Sequence, residues 1–295
     1  MYLFRSVLFL LLCNTVISAK QPEGRAHAKE IKVPDSINYT VHNYRKEKVL
    51  RANQIGLAYL KDRKQEKLPV VIFIHGGGWS KGDKDQMAYL ALNYAKAGFV
   101  GVTISYRLLS EAPYPAQVQD AKEALRFIKS LAKDHPIDIN RIGVCGYSAG
   151  AHLALLIALS EGEAWYDSGK YGSFDSSVRC AVGISSPIDF DTRIKEKNGK
   201  LKILSAEQQK DSTLVYKCSP LNLMSKDQVP ILLFHGDKDA LVPAYHYKNF
   251  AKKAKTLGIK NLELNINPQG DHTYFFRESK KLHPIMMNFF KKQLM

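Results

Sequence analysis

Ile142-Gly143-Val144-Cys145-Gly146-Tyr147-Ser148-Ala149-Gly150, continued by the segment Ala151 to Ser160, is the stretch that decides the fold. A short apolar run ends in Gly-Tyr-Ser-Ala-Gly, and an Ala/Leu-rich segment of helical character follows at once. This is a G-x-S-x-G pattern in a strand–turn–helix setting. A serine on so sharp a turn takes strained backbone angles, and its neighbours two positions away must lack bulk for strand and helix to approach. The Ser148 hydroxyl is thereby expected to stand clear at a helix N-terminus. There the amide of Ala149 and the positive end of the helix dipole face any negative charge that forms.

The pattern alone also arises by chance in small-residue turns. Two further stretches decide the matter. Upstream, Val70-Val71-Ile72-Phe73-Ile74 is a β-branched run ending in His75-Gly76-Gly77-Gly78-Trp79. Downstream, Ile231-Leu232-Leu233-Phe234 ends in His235-Gly236-Asp237-Lys238-Asp239, and Gly270-Asp271-His272 follows later. Glycine loop, Ser, Asp and His occur in the chain order of a serine hydrolase built on a parallel sheet.

The residues between these motifs support the same architecture. Ile37 to Tyr44 and Ile55 to Leu60 alternate apolar and polar residues, as antiparallel edge strands do. Val70 to Ile74 is apolar on both faces and reads as an interior strand. Asp83 with Gln86 three residues later forms a capping box before a helix carrying Met87, Leu90, Ala91, Tyr94 and Ala95. Phe99 to Ile104 is a strand, Ala116 to Lys133 a helix, and Ile139 to Cys145 the strand leading to Ser148. Val178 to Ile184, Ile231 to Phe234 and Leu262 to Ile266 are further strands, with helices over Ala244 to Leu257 and Leu282 to Leu294. This alternation predicts an α/β fold whose parallel sheet has helices on both faces. Residues 188–221 have no clean period and are expected to form a small lid. One catalytic domain, 37–295, follows a flexible lead-in at 20–36.

The N-terminus reads as an export signal over residues 1–19. A single positive charge at Arg5 precedes the apolar run Val7 to Leu12, and Val16-Ile17-Ser18-Ala19 ends in small residues. The run is shorter than the roughly 20 residues that span a bilayer, so a periplasmic or secreted mature chain without an integral membrane segment is expected. Of the remaining cysteines, Cys145 is expected to be buried, while a Cys180–Cys218 bridge is open in an oxidising compartment.

The net charge of +15 over 295 residues comes mostly from lysines scattered through the chain. They do not interleave with aromatics as a nucleic-acid surface does, and no nucleic-acid partner is expected. There is no H-E-x-x-H, paired C-x-x-C, P-loop or G-x-G-x-x-G after a strand, so no metal or organic cofactor is expected.

A serine hydroxyl needs a base within hydrogen-bond reach. His272, in a loop after the last strand, is the candidate, and an acid must orient it. Asp239, opening the loop Asp239-Ala240-Leu241-Val242-Pro243, is favoured over Asp237, which is expected to brace the turn through backbone hydrogen bonds. The amides of Gly77, Gly78 and Ala149 are the expected oxyanion donors. Trp79, Tyr147 and Pro187 are candidate walls of a substrate pocket.

Together, His75 to Trp79, Tyr106-Arg107, Gly146 to Gly150, His235 to Pro243 and Gly270 to His272 resemble the α/β-hydrolases. Within them they are similar to the small carboxylesterases that include hormone-sensitive-lipase-like and feruloyl/acetyl-xylan-type enzymes. The resemblance covers Tyr39 to the C-terminus. It implies an eight-stranded, mostly parallel sheet, a Ser148–His272–Asp239 triad and no cofactor. A long N-terminal cap of the kind lipase-like members carry is not expected. Short-chain or glycan-linked esters are the expected substrates. A serine exopeptidase or amidase of the same fold is the alternative, although its dipeptidyl peptidase members bring a large extra domain. A non-catalytic binding protein is disfavoured by the intact Ser148, Asp239 and His272.

Overall fold

The computed structural model describes residues 31–45, 51–64, 66–196 and 200–295. The expected signal at 1–19 and most of the 20–36 lead-in lie outside the described residues; Ile31 and Val33 at its end pack against the first strands.

In chain order the strands and helices are β1 (Ile37–Asn43), β2 (Gln54–Leu60), β3 (Leu68–Ile74), α1 (Ala88–Lys96), β4 (Val100–Ile104), α2 (Ala116–Ser130), β5 (Ile137–Tyr147) and α3 (Ala149–Leu159). They continue with β6 (Cys180–Ile184), α4 (Phe190–Lys195), α5 (Ser212–Cys218), β7 (Ile231–Gly236), α6 (Tyr245–Leu257), β8 (Leu262–Asn267), α7 (Tyr274–Arg277) and α8 (Ser279–Leu294). All eight strands form one sheet in the order β1-β2-β4-β3-β5-β6-β7-β8. The β1–β2 and β2–β4 pairs are antiparallel, and every other neighbouring pair is parallel. This is the α/β-hydrolase fold that the resemblance implies.

Strand alternation divides the core into two layers. Val70, Ile72 and Ile74 of β3 face one side, with Leu125 and Ile128 of α2, Leu153 and Leu156 of α3, and Phe250 of α6. Val71 and Phe73 face the other, with Leu90 and Tyr94 of α1 and Met286, Phe289 and Phe290 of α8. Each such side chain, removed from water, contributes about 1.5–3 kcal/mol before entropy is counted. The two layers explain why the open Cys180–Cys218 bridge does not form. Cys180 lies in the second layer and Cys218 in the first, and Cys145, Cys180 and Cys218 are all free and buried.

One local expectation changes. The Asp83 carboxylate takes the amide of Asp85 at 3.0 Å, but a 3-10 turn, Lys84–Met87, follows, and α1 begins only at Ala88. The other Asp83 oxygen is held by Arg51, so Asp83 serves as cap and ion-pair partner together. The polar face of α2 is not solvated. Lys122, Arg126 and Lys129 are at most 3% exposed and reach the segment that leads to β6. Lys122 Nζ donates to Ser160 O at 2.7 Å, Arg126 pairs with Asp167 at 2.6 Å, and Lys129 pairs with Asp175 at 2.6 Å. The apolar stripe of α2 meets the sheet while its charged stripe holds a loop.

Candidate active site

β5 runs straight into Ser148 and α3 starts at the next residue. Ser148 has φ 53° and ψ −118°, a left-handed conformation that side chains other than glycine rarely adopt. Two close approaches make the turn possible. A Cβ on Gly146 would lie 2.1 Å from Gly150 O, and one on Gly150 would lie 2.1 Å from Ile74 O. The strained serine is pinned from the neighbouring strand by its own amide, which donates to Ile184 O at 2.8 Å.

The loops after β7 and β8 meet in the same way. A Cβ on Gly236 would lie 2.1 Å from Gly270 O, and the amide of Lys238 donates to that carbonyl at 2.9 Å. Asp239 and His272 are thereby brought together: His272 Nδ1 lies 2.8 Å from Asp239 Oδ2, and His272 Nε2 lies 3.0 Å from Ser148 Oγ. A carboxylate only accepts, so Nδ1 carries the proton and Nε2 presents a lone pair to the serine hydroxyl. Asp239 is 4% exposed. Ser185 Oγ donates to His272 O at 3.0 Å, and the Tyr147 ring packs on the imidazole with centroids 5.2 Å apart.

The division of labour between the two aspartates differs from expectation. Among the described residues the Asp237 carboxylate makes no hydrogen bond to the turn's backbone; it accepts the Tyr247 hydroxyl at 2.6 Å and lies 3.4 Å from Lys248. The Tyr247 hydrogen bond holds its carboxyl below the usual range. Asp239 braces the loop itself, its Oδ1 accepting the amides of Leu241 and Val242.

Other histidines sit elsewhere. His75 is buried, stacks on Tyr106 with centroids 4.3 Å apart and donates from Nδ1 to Gly76 O at 2.7 Å, which fixes the glycine loop. His152 donates from Nε2 to Cys218 O at 2.8 Å, and burial pushes its pKa down to about 4. His246 accepts the Asp189 amide at Nδ1, 2.9 Å away, and burial lowers it to about 3. With Nδ1 an acceptor, neutral His246 bears its proton on Nε2. His235 donates to Val242 O at 2.8 Å, and burial lowers its pKa as well.

Above Ser148 opens a cavity of about 500 Å³ that is lined by Gly77, Gly78, Trp79, Tyr147, Pro187 and His272, among others. Gly77 and Gly78 have φ of 110° and 58°, which suits glycine in a loop that must aim its backbone at a neighbour. Ala149 is not in the lining; it follows Ser148, and as the first residue of α3 its amide is one of the helix's N-terminal donors without an intrahelical partner. The three expected walls, Trp79, Tyr147 and Pro187, all face this cavity. A small lid is expected at 188–221, but which of its residues line the cavity is not legible in the sequence. The 188–221 segment folds over the site and supplies Phe190, Arg193, Lys200, Leu201, Lys202 and Ile203, while Leu241, Val242 and His246 close another side. The one signal was the apolar alternation in Leu201-Lys202-Ile203, whose Leu201 and Ile203 are 3% and 1% exposed.

Among the described residues no helix is long and apolar enough to cross a membrane. The chain is 24% identical over 231 residues to Esterase LipC of Mycobacterium tuberculosis, a match covering 76% of this chain and 57% of LipC. It spans about half the length of the curated relatives it matches. A truncated carbohydrate esterase from gut microbiota superposes with a TM-score of 0.75 at 26% identity, over 89% of this chain and 99% of that one. An acetyl ester-xyloside bifunctional hydrolase from Caldicellulosiruptor lactoaceticus superposes with a TM-score of 0.71 at 26% identity, over 88% and 97%. Residues 58–254 match the BD-FAE family, a span that runs from β2 through the glycine loop, Ser148 and Asp239 into α6; the chain belongs to the BD-FAE family.

Proposed function

We propose that this chain is an exported serine carboxylesterase that hydrolyses short-chain or carbohydrate-linked esters. The observation that carries the reading is the continuous relay from Asp239 to His272 to Ser148, at 2.8 and 3.0 Å, on the floor of a cavity that also holds Gly77 and Gly78. In the proposed reaction Ser148 Oγ attacks the ester carbonyl while His272 Nε2 takes the hydroxyl proton. The amides of Gly77, Gly78 and Ala149 receive the oxyanion; one such donor is worth about 2.7–4 kcal/mol in characterised hydrolases. The C–O bond to the alcohol then breaks, the imidazolium returns the proton to the departing oxygen, and Ser148 is left acylated. Water attacks the acyl carbon, gives its proton to His272, and the acid leaves as the proton returns to Ser148. Asp239 stabilises the imidazolium at each stage and keeps its own charge.

The esterase and carbohydrate-esterase names of the relatives support ester over amide substrates. The cavity of about 500 Å³ has room for a short acyl group, and the N-terminal pattern at 1–19 supports export. Hydrolysis of a p-nitrophenyl ester series from acetyl to decanoyl, beside Ser148→Ala, tests the reading. Rates that peak at acetyl or butyryl and vanish in the variant are expected. A folded protein that cleaves aminoacyl anilides and no ester belongs to the amidase alternative.

A further inference from the structure

The cavity above Ser148 carries charge of one sign. Lys81, Arg193, Lys200 and Lys202 line it, and none of the described lining residues is Asp or Glu. These cations come from separate places, the loop after β3 and the 188–221 roof, so they converge only in the folded chain. Leu201 and Ile203 are buried on either side of Lys202, which anchors this turn of the roof and leaves the Lys202 side chain exposed. The ammonium hangs over the glycine loop: a Cβ on Gly78 would lie 3.0 Å from Lys202 Nζ.

Nearby carboxylates are already engaged. Glu196 pairs with Arg193 at 2.5 Å, Asp239 holds His272, Asp189 takes Thr192 and Asn249, and Asp271 pairs with Arg277 at 2.9 Å. Lys81, Lys200 and Lys202 make no ion pair among the described residues. One ammonium beside the glycine loop has a use in a neutral ester's reaction, where an oxyanion forms. Two further lysines at the same opening do not. A cleft lined by charge of one sign and partly walled by apolar side chains concentrates ligands of the opposite charge.

We propose that the site selects esters bearing a carboxylate close to the scissile bond, with Lys200 and Lys202 as its partners. This rests on the esterase reading above and narrows its substrate class. The carboxylate has two chemical sources: a uronate ring on the alcohol side, as in an acetylated acidic glycan, or the free end of a dicarboxylic acyl group.

Two matched pairs separate them. For the alcohol side, mono-acetylated methyl galacturonoside is compared with mono-acetylated methyl galactoside; for the acyl side, p-nitrophenyl hemiglutarate is compared with p-nitrophenyl butyrate. The expected result is an anionic-to-neutral ratio of kcat/KM of about tenfold or more in one pair at low salt. That ratio collapses toward one in about 1 M NaCl, where the Debye length is about 3 Å, and in the Lys200→Gln/Lys202→Gln variant. The pair that shows it identifies the side carrying the carboxylate. Ratios at or below one in both pairs overturn the proposal while leaving the esterase reading intact. Equal losses on neutral and anionic esters in Lys202→Gln also overturn it, because Lys202 then serves the oxyanion alone. Failure to hydrolyse any of the four esters removes the esterase reading itself.

Discussion

Asp239 holds His272 with one carboxylate oxygen and its own loop with the other: Oδ2 lies 2.8 Å from His272 Nδ1, and Oδ1 accepts the amides of Leu241 and Val242 at 2.9 and 2.8 Å. The side chain that orients the imidazole is therefore held by the same turn that carries it. Asparagine keeps an acceptor for the two amides but turns an NH₂ toward His272, which forces the proton onto Nε2 and removes the lone pair facing Ser148.

Asp239→Asn is expected to leave the fold intact and lower kcat by about four orders of magnitude, as the corresponding change does in a triad of known mechanism. Asp237→Asn, which keeps an amide oxygen to accept the Tyr247 hydroxyl and loses the ion pair with Lys248, is expected to retain most turnover. Steady-state kinetics on p-nitrophenyl acetate check both; the reverse ranking reassigns the acid.

Gly150→Ala is expected to destabilise the chain by about 3 kcal/mol or more, since a Cβ 2.1 Å from a backbone carbonyl of a central strand has nowhere to go. Urea unfolding measures this. Gly172→Ala, where a Cβ meets nothing within 4 Å, is the control and is expected to fall within about 0.5 kcal/mol of the parent.

Acid should weaken the fold through the buried histidines. His152 faces Trp79, Phe190 and Cys218 and has no acidic partner among the described residues, and burial lowers its pKa from an unfolded value of about 6.5 to about 4. Between those values the unfolded chain binds more protons than the folded one. Stability is therefore full above about pH 6.5 and falls as pH drops toward 4, by on the order of 3 kcal/mol for this residue. Urea midpoints at a series of pH values test it. His152→Gln should flatten the profile, and an unchanged slope in that variant would show that other groups set it.

The parts of the site that were legible in the sequence are those where a short motif dictates its own geometry. Gly146 to Gly150 must turn sharply because no side chain fits between β5, α3 and β3, and His75 to Trp79, Asp239 and His272 each follow a strand whose apolar run ends plainly. The order of apolar runs likewise carried the sheet. What the sequence did not reveal depends on segments that meet only in three dimensions. The charged stripe of α2 has the pattern of a solvated face and is buried because Asp167 and Asp175 come back to it. The roof residues Phe190 and Lys200 to Ile203 lie in a stretch without period, and only its folding over Ser148 makes them neighbours of the site. The roles of Asp237 and Asp239 hinge on where Tyr247 falls on α6, which spacing alone does not show.

The most direct test of the central claim, that Ser148 is the nucleophile of an ester hydrolase, is covalent trapping. The protein is treated with a fluorophosphonate while p-nitrophenyl acetate turnover is followed, and the adduct is located by peptide mass spectrometry. The expected result is one adduct, on the peptide containing Ser148, that accumulates in step with loss of activity and is absent from Ser148→Ala. Full inactivation with the adduct on another residue, or a Ser148→Ala protein that turns over the ester at the parent rate, would contradict it.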